Sequence, residues 1–343
     1  MQGERCHLER HRDGQRYESH LDGASHGTGP PTAGHLGKHP VTRLCAVDVG
    51  AKELKLLEAD GRRLTRHAEV LLPEGALVDG MPTPLLTTAV RSALEAGGFA
   101  TTRARVAIAE TGTAFRDFRL PAIPARELTA AVLFEGRRQV PMEAADVYFA
   151  WHAVRDRTGY AVHLVAARRD MIDAVVEAVT AAGLQVERID LKPLALARGM
   201  RTTDGLLLEW GAADATLVLM VRGRPRFFRT FLLDAPTDDA EGQLDELAFS
   251  VNALVKFVRG AASDVAIGPS TPLCLGGRFA FVENGLEQAR QRLNFAITIP
   301  SLPYQAAPDI PWQAHLTGLG LLMQARWHDR LTPSQVGDTH VAA

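Results

Sequence analysis

Two short stretches carry side chains with a use in chemistry: Asp48-Val49-Gly50 and Glu209-Trp210-Gly211. In each, an apolar strand runs into carboxylate-x-glycine and turns, through Ala51-Lys52-Glu53 or Ala212-Ala213-Asp214, into a second apolar strand. Glycine lets the backbone approach a ligand and take a turn that a Cβ would resist. Successive turn N–H groups can then face an anion, while Asp48 is placed to hold a hydrated metal or a water. A third stretch, Leu275-Gly276-Gly277, ends an apolar run ahead of a helical pattern. Such a turn lets the backbone lie flat against a nucleoside or phosphate near a helix N-terminus. One acidic-x-Gly hairpin alone is ordinary structure. Two, one opening each half of the chain, point to a duplicated lobe with a ligand cleft between the copies.

The elements around the first hairpin are legible from periodicity. Residues 66–72 read as a third strand. Residues 84–96 carry Leu85, Leu86, Ala89, Val90, Ala93 and Leu94 on one helical stripe, stopped by Gly97-Gly98. Residues 105–109 then read as a buried strand. Three antiparallel strands, a helix and a parallel strand are the opening of an RNase H-like, actin-type lobe. Residues 115–189 read as an inserted βαββαβ unit whose two helices share one face of a small sheet, which leaves an edge free for a peptide to add to. After the second hairpin and a further strand come a helix over 245–259, a strand over 273–278, a helix over 284–293, a strand over 296–299 and a last helix over 315–326.

The expected organisation is an α/β, two-lobed actin-like (duplicated RNase H-like) ATPase fold with an inserted subdomain and a reduced second lobe. Residues 41–114 with 190–204 make the first lobe and 115–189 the partner-binding insertion. Residues 205–328 make a second, truncated lobe. Residues 1–40 hold half of the 12 histidines and almost no periodic apolar residues, so they read as a disordered extension. Their irregular spacing argues against a metal site, and no signal-peptide h-region is present. A mis-assigned start codon upstream of Val41 fits the same pattern. Residues 329–343 read as a disordered tail.

Composition narrows the function. At 343 residues, 46% hydrophobic and 23% charged, the chain is of ordinary globular type with room for two cores. A net charge of −2 gives no footprint for nucleic acid or an anionic membrane surface. The three cysteines, Cys6, Cys45 and Cys274, form no framework spacing, as in a reduced cytoplasmic protein. No apolar run approaches the roughly 18 residues that span a bilayer. Direct membrane insertion is not expected, and a membrane connection would run through a partner.

In sequence order, several segments resemble one family, the type IV pilus assembly protein PilM, related to the cell-division protein FtsA. They are Val47-Asp48-Val49-Gly50 with Leu54-Lys55-Leu56-Leu57-Glu58, then Leu72-Pro73-Glu74-Gly75-Ala76-Leu77-Val78-Asp79-Gly80, and Leu120-Pro121-Ala122-Ile123-Pro124 with Gln139-Val140-Pro141. Leu164-Val165-Ala166-Ala167-Arg168, Ala182-Gly183-Leu184, Ala195-Leu196-Ala197-Arg198, Leu275-Gly276-Gly277 and Gly318-Leu319-Gly320-Leu321 continue the series over residues 41–326. The resemblance implies an ATP-binding cleft between the lobes. It also implies a groove for the cytoplasmic N-terminal peptide of the inner-membrane protein PilN, in a ring that supports pilus extension, and hence twitching motility, by motor ATPases. The implied cofactor-binding set is Asp48, Gly50, Lys52, Glu209, Gly211, Gly276 and Gly277, as a vestige. Lys52 stands where the family offers a hydroxyl to phosphate, Glu53 and Asp214 bring negative charge to the same place, and Trp210 adds bulk beside it. Like charges in a partly desolvated cleft cost on the order of a few kcal/mol.

The leading expectation is therefore a non-catalytic cytoplasmic scaffold with no catalytic residue, metal or cofactor, peripheral at the inner membrane through a PilN-like partner and open to homo-oligomerisation. The partner peptide is placed near residues 121–133 and 148–151, with Phe134 and Trp151 as test positions. One alternative is an ATP-binding switch of the same machinery, holding Mg-ATP on Asp48, Lys52, Glu209 and Gly276. Another is a small-molecule kinase of the superfamily, which would need a general base that no residue supplies. Cytoplasmic scaffolds of type II secretion use similar lobes.

Overall fold

The computed structural model describes residues 43–143, 146–261 and 265–323. The tails expected to be disordered lie outside that range, as do the last residues of the final expected helix. The chain opens with an antiparallel meander, β1 (Arg43–Val49), β2 (Glu53–Asp60) and β3 (Arg63–Leu71). A small hairpin, β4 (Leu77–Val78) and β5 (Met81–Pro82), leads into α1 (Pro84–Ala96), where Thr83 accepts the Leu85 N–H as N-cap. Then follow β6 (Arg103–Ile108), β7 (Thr113–Leu120), α2 (Ala125–Gln139), β8 (Val147–Asp156) and β9 (Gly159–Arg168). Next come α3 (Arg169–Ala181), β10 (Gln185–Leu191) and α4 (Lys192–Met200). The second half runs β11 (Gly205–Trp210), β12 (Asp214–Val221), β13 (Arg224–Leu232), α5 (Ala240–Ala261) and β14 (Pro272–Gly277). It ends with α6 (Gly285–Leu293), β15 (Ala296–Thr298), a 3-10 turn at Trp312–His315 and α7 (Leu316–Leu322).

The two main sheets have the same strand order, β10-β6-β1-β2-β3 and β13-β12-β11-β14-β15 read from opposite ends. The register repeats as well: Asp48 lies opposite Ala107 across the parallel pair of the first sheet, and Glu209 opposite Gly276 in the second. Each half is a complete RNase H-like unit, and the second differs from the first by carrying no inserted sheet. Helix α5 starts at Ala240, five residues before the start expected from the sequence. Asp239 caps it by accepting the Gly242 N–H through its carboxylate.

One boundary expected from sequence moves. The inserted sheet is three-stranded, β7-β9-β8, with α2 on one face. Helix α3 and strand β10, expected to close the insertion, belong to the first lobe: β10 pairs with β6, and Met171, Ile172, Val175 and Val179 of α3 join the core under α1. Their apolar pattern is the same for either sheet, so sequence spacing could not choose between them.

The outer faces of the two sheets are covered by α1 with α3 and by α5 with α6. Between the sheets lie α4 and α7, and they are exchanged: α7, from the end of the second lobe, lies on β1, β2 and β6, while α4 lies on β11, β12 and β13. The crossing is so close that a Cβ on Gly320 would come to 1.7 Å from the Ala195 carbonyl, and one on Gly199 to 2.0 Å from that of Leu316. Only glycine fits there.

Candidate functional site

Alternation along the strands decides which side chains meet. Cys45, Val47 and Val49 of β1 face the outer helices, which leaves Ala46 and Asp48 facing the other lobe. By the same rule Glu53 and Lys55 of β2, Glu209 of β11 and Asp214 of β12 point inward. All five are at most 4% exposed, as is Lys192, the first residue of α4. Four carboxylates and two ammonium groups thus share the interior between the lobes.

The turns themselves are superimposable in their bonding. Gly50 N–H donates to the Glu53 carbonyl at 2.8 Å, and Gly211 N–H to that of Asp214 at 2.9 Å. Each turn reaches across to the other. The Asp214 carboxylate accepts the Ala51 N–H at 3.4 Å, and the Glu53 carboxylate accepts the Ala213 N–H. A third carboxylate, Glu110 at the end of β6, accepts the Thr230 N–H of β13. Lys192 Nζ stands 3.5 Å from Asp48 on one side and 3.5 Å from Asp214 on the other, while Lys55 Nζ is 3.1 Å from Glu53. Glu209 takes the Thr317 hydroxyl at 2.9 Å and the Thr317 N–H at 3.3 Å.

Burial and neighbours set the protonation of this group. Asp48 is pushed up to about 6, chiefly by desolvation, with Glu209 and Asp214 adding to the rise and Lys192 and Lys55 opposing it. Its Oδ1 has no hydrogen-bond partner. For Lys55 and Lys192 burial favours the neutral form, but the surrounding carboxylates outweigh it and hold both ammoniums charged. His315, fully buried below Lys55 and edge-on to His67, is lowered to about 3 by desolvation first and by Lys55 next. Neither of its ring nitrogens has a hydrogen-bond partner.

The residues expected to hold nucleotide are therefore partly assembled and partly diverted. Asp48, Gly50, Glu209 and Gly211 meet across the lobes, and a Cβ on Gly211 would touch the Glu53 carboxylate at 3.2 Å. Lys52 is exposed on its turn. Gly276 abuts α7, where a Cβ would strike Leu316 at 1.9 Å, and Gly277 packs on the Trp210 backbone. Trp210 itself is not beside the turn's anion-facing side. Because Glu209 takes the inner face, Trp210 takes the outer one, fully buried under α5 with its indole N–H donating to Gln243 at 2.8 Å. Sequence reasoning missed Lys192, Lys55 and Thr317. Strand alternation could have found Lys55, two residues after Glu53 and on the same face, whereas nothing in the spacing joins Lys192 or Thr317 to the turns.

The inserted sheet offers a different surface. Tyr148 and Ala150 of β8 pack toward the first lobe, while Val147, Phe149 and Trp151 lie on the α2 side. Strand β8 pairs with β9 alone, and no other described strand covers its outer edge. On α2, Phe134 is 66% exposed.

Two lobes of one repeated topology, with exchanged helices and acidic turns facing across the gap, define a protein of the actin-like ATPase fold. The sequence profile described as "Type IV pilus assembly protein PilM" matches residues 46–222, and the chain belongs to that family. Among solved structures, a PilM-PilN type IV pilus biogenesis complex matches with a TM-score of 0.64 and 21% identity, over 82% of this chain and 98% of that one. The cytoplasmic domain of EpsL, an inner-membrane component of the type II secretion system of Vibrio cholerae, gives 0.48 and 14% over 84% and 98%. The ethanolamine utilization protein EutJ from Carboxydothermus hydrogenoformans gives 0.47 and 13% over 82% and 89%. No curated protein resembles the sequence closely enough to count as a match.

Proposed function

We propose that this member of the family is a non-catalytic, actin-like scaffold that holds the cytoplasmic tail of a PilN-like inner-membrane protein on its inserted subdomain. The reading is carried by two surfaces of the insertion: the outer edge of β8, which no other described strand covers, and the exposed Phe134 of α2. An open strand edge offers main-chain hydrogen bonds to an extended peptide, and an exposed phenyl leaves roughly 1.5–3 kcal/mol of burial unrealised until something covers it. No described helix is long and apolar enough to cross a membrane, which is in keeping with attachment through such a tail. The motor ATPases of pilus extension are proposed as further partners from family resemblance.

The turns as they stand disfavour Mg-ATP. The Ala51 and Ala213 N–H groups, the donors a phosphate would need, are taken by carboxylates. A polyphosphate would join four buried acids with only two lysines to offset them. Copurification with the PilN-like tail tests the partner reading. Phe134→Asp and Trp151→Asp are expected to abolish capture, and retention by both variants would refute it.

A further inference from the structure

We infer that Glu53 and Asp214 are built-in ligands: each carboxylate occupies the anion-binding turn of the opposite lobe, and together they keep this actin-like fold permanently closed. This goes beyond the partner reading and does not depend on it. Four observations support it. The two turns are equivalent by the internal repeat, with the same glycine-to-carbonyl hydrogen bond, and the acids at their ends are equivalent too. The exchange is reciprocal, with Glu53 serving the turn of the second lobe and Asp214 that of the first. Both carboxylates are buried, at 2% and 1% exposure, so they are committed to this interior. Lys192, buried between Asp48 and Asp214, supplies the positive charge that would otherwise have to come from an added cation.

Backbone N–H groups concentrated in a turn attract anions whatever the source of the anion. A carboxylate tethered to the facing lobe has no translational entropy left to lose, so it holds an advantage over a free phosphate at ordinary concentration. Charge-assisted N–H to carboxylate bonds are also stronger than neutral ones, and of the two crossings the Ala51 one, at 3.4 Å, is the longer. Opening the lobes would break three such crossings, counting Glu110 with Thr230, and leave buried charges exposed to rearrangement.

The test is amide hydrogen exchange on the full chain, followed at Ala51 and Ala213, with melting curves run in inorganic pyrophosphate. Glu53→Gln keeps the shape and removes the charge, so the fold should survive while Ala213 exchanges at least about tenfold faster and Ala51 is little changed. Asp214→Asn should do the converse. In Glu53→Ala with Asp214→Ala, pyrophosphate should raise the melting temperature, whereas in the parent chain it should not. The inference is overturned if Ala51 and Ala213 exchange at the parent rate in the single variants, or if the parent chain is stabilised by pyrophosphate as strongly as the double variant. Tail capture is unaffected by either outcome, so failure here leaves the partner reading standing.

Discussion

The gap between the lobes and the inserted sheet present opposite solutions to the same problem of unpaired backbone groups. In the gap, the Ala51 and Ala213 N–H groups are satisfied from within, by Asp214 and Glu53, and the four carboxylates and two lysines that share the interior are buried, while Lys52 on the first turn stays exposed. On the insertion, the outer edge of β8 has no strand partner among the described residues and Phe134 stands in solvent. A closed polar interior resists exchange with solutes, while an open strand edge offers main-chain hydrogen bonds to a peptide. Under the proposed function, the first region serves stability and the second serves recognition.

The largest effect that would break this division comes from Lys192. Lys192→Met removes the ammonium that Asp48 and Asp214 share and leaves them buried beside Glu209. Loss of one partner from such a pair is expected to lower stability by about 3–5 kcal/mol in chemical denaturation. Affinity for the tail should stay within experimental error. Tail binding that fell in proportion to stability would merge the two regions into one.

Acidity sharpens the picture of the gap, because two groups there work against each other. Asp48 has a folded value of about 6, above that of an ordinary aspartate, so it favours the folded state at low pH. That contribution fades as pH rises from about 4 to about 6. His315 is lowered to about 3, so it favours the folded state above its ordinary range near 6.5 and loses that contribution as pH falls toward 3. Asp48→Asn should therefore make the chain lose stability more steeply on acidification. His315→Leu should make the loss shallower. Identical pH profiles for the two variants would contradict the assigned environments.

The smallest of these effects in energy is at Phe134. With its side chain 66% exposed, Phe134→Asp should leave the melting temperature within about a degree and cost about 2 kcal/mol of tail affinity, roughly thirtyfold. A stability loss with unchanged affinity would place Phe134 in the core of the insertion rather than on a recognition surface.

Much of this was legible in the sequence because it rests on local signals. The paired acidic-x-Gly hairpins and the stripe of α1 with its Gly97-Gly98 stop follow from turn chemistry or period. The parts that were not legible depend on pairing over distance. Nothing near Asp170 states that α3 returns to the first lobe, and the start of β3 at Arg63 hides behind a register shift between Glu58 and Ala59. The sequence shows Glu53 and Asp214 as charges at the two turns. Their reach to the opposite turn depends on the two lobes facing each other, which no single hairpin encodes. Trp210 shows the converse: its place follows from strand alternation once Glu209 is known to face inward.

The account is tested most directly by mapping amide exchange over the whole chain with the PilN-like tail peptide added, and again with Mg-ATP added. It predicts new protection along β8 and α2 with the peptide, and no change at Ala51, Ala213 or their neighbours with Mg-ATP. Protection appearing at the two turns in Mg-ATP, with β8 and α2 unmoved by the peptide, would contradict it.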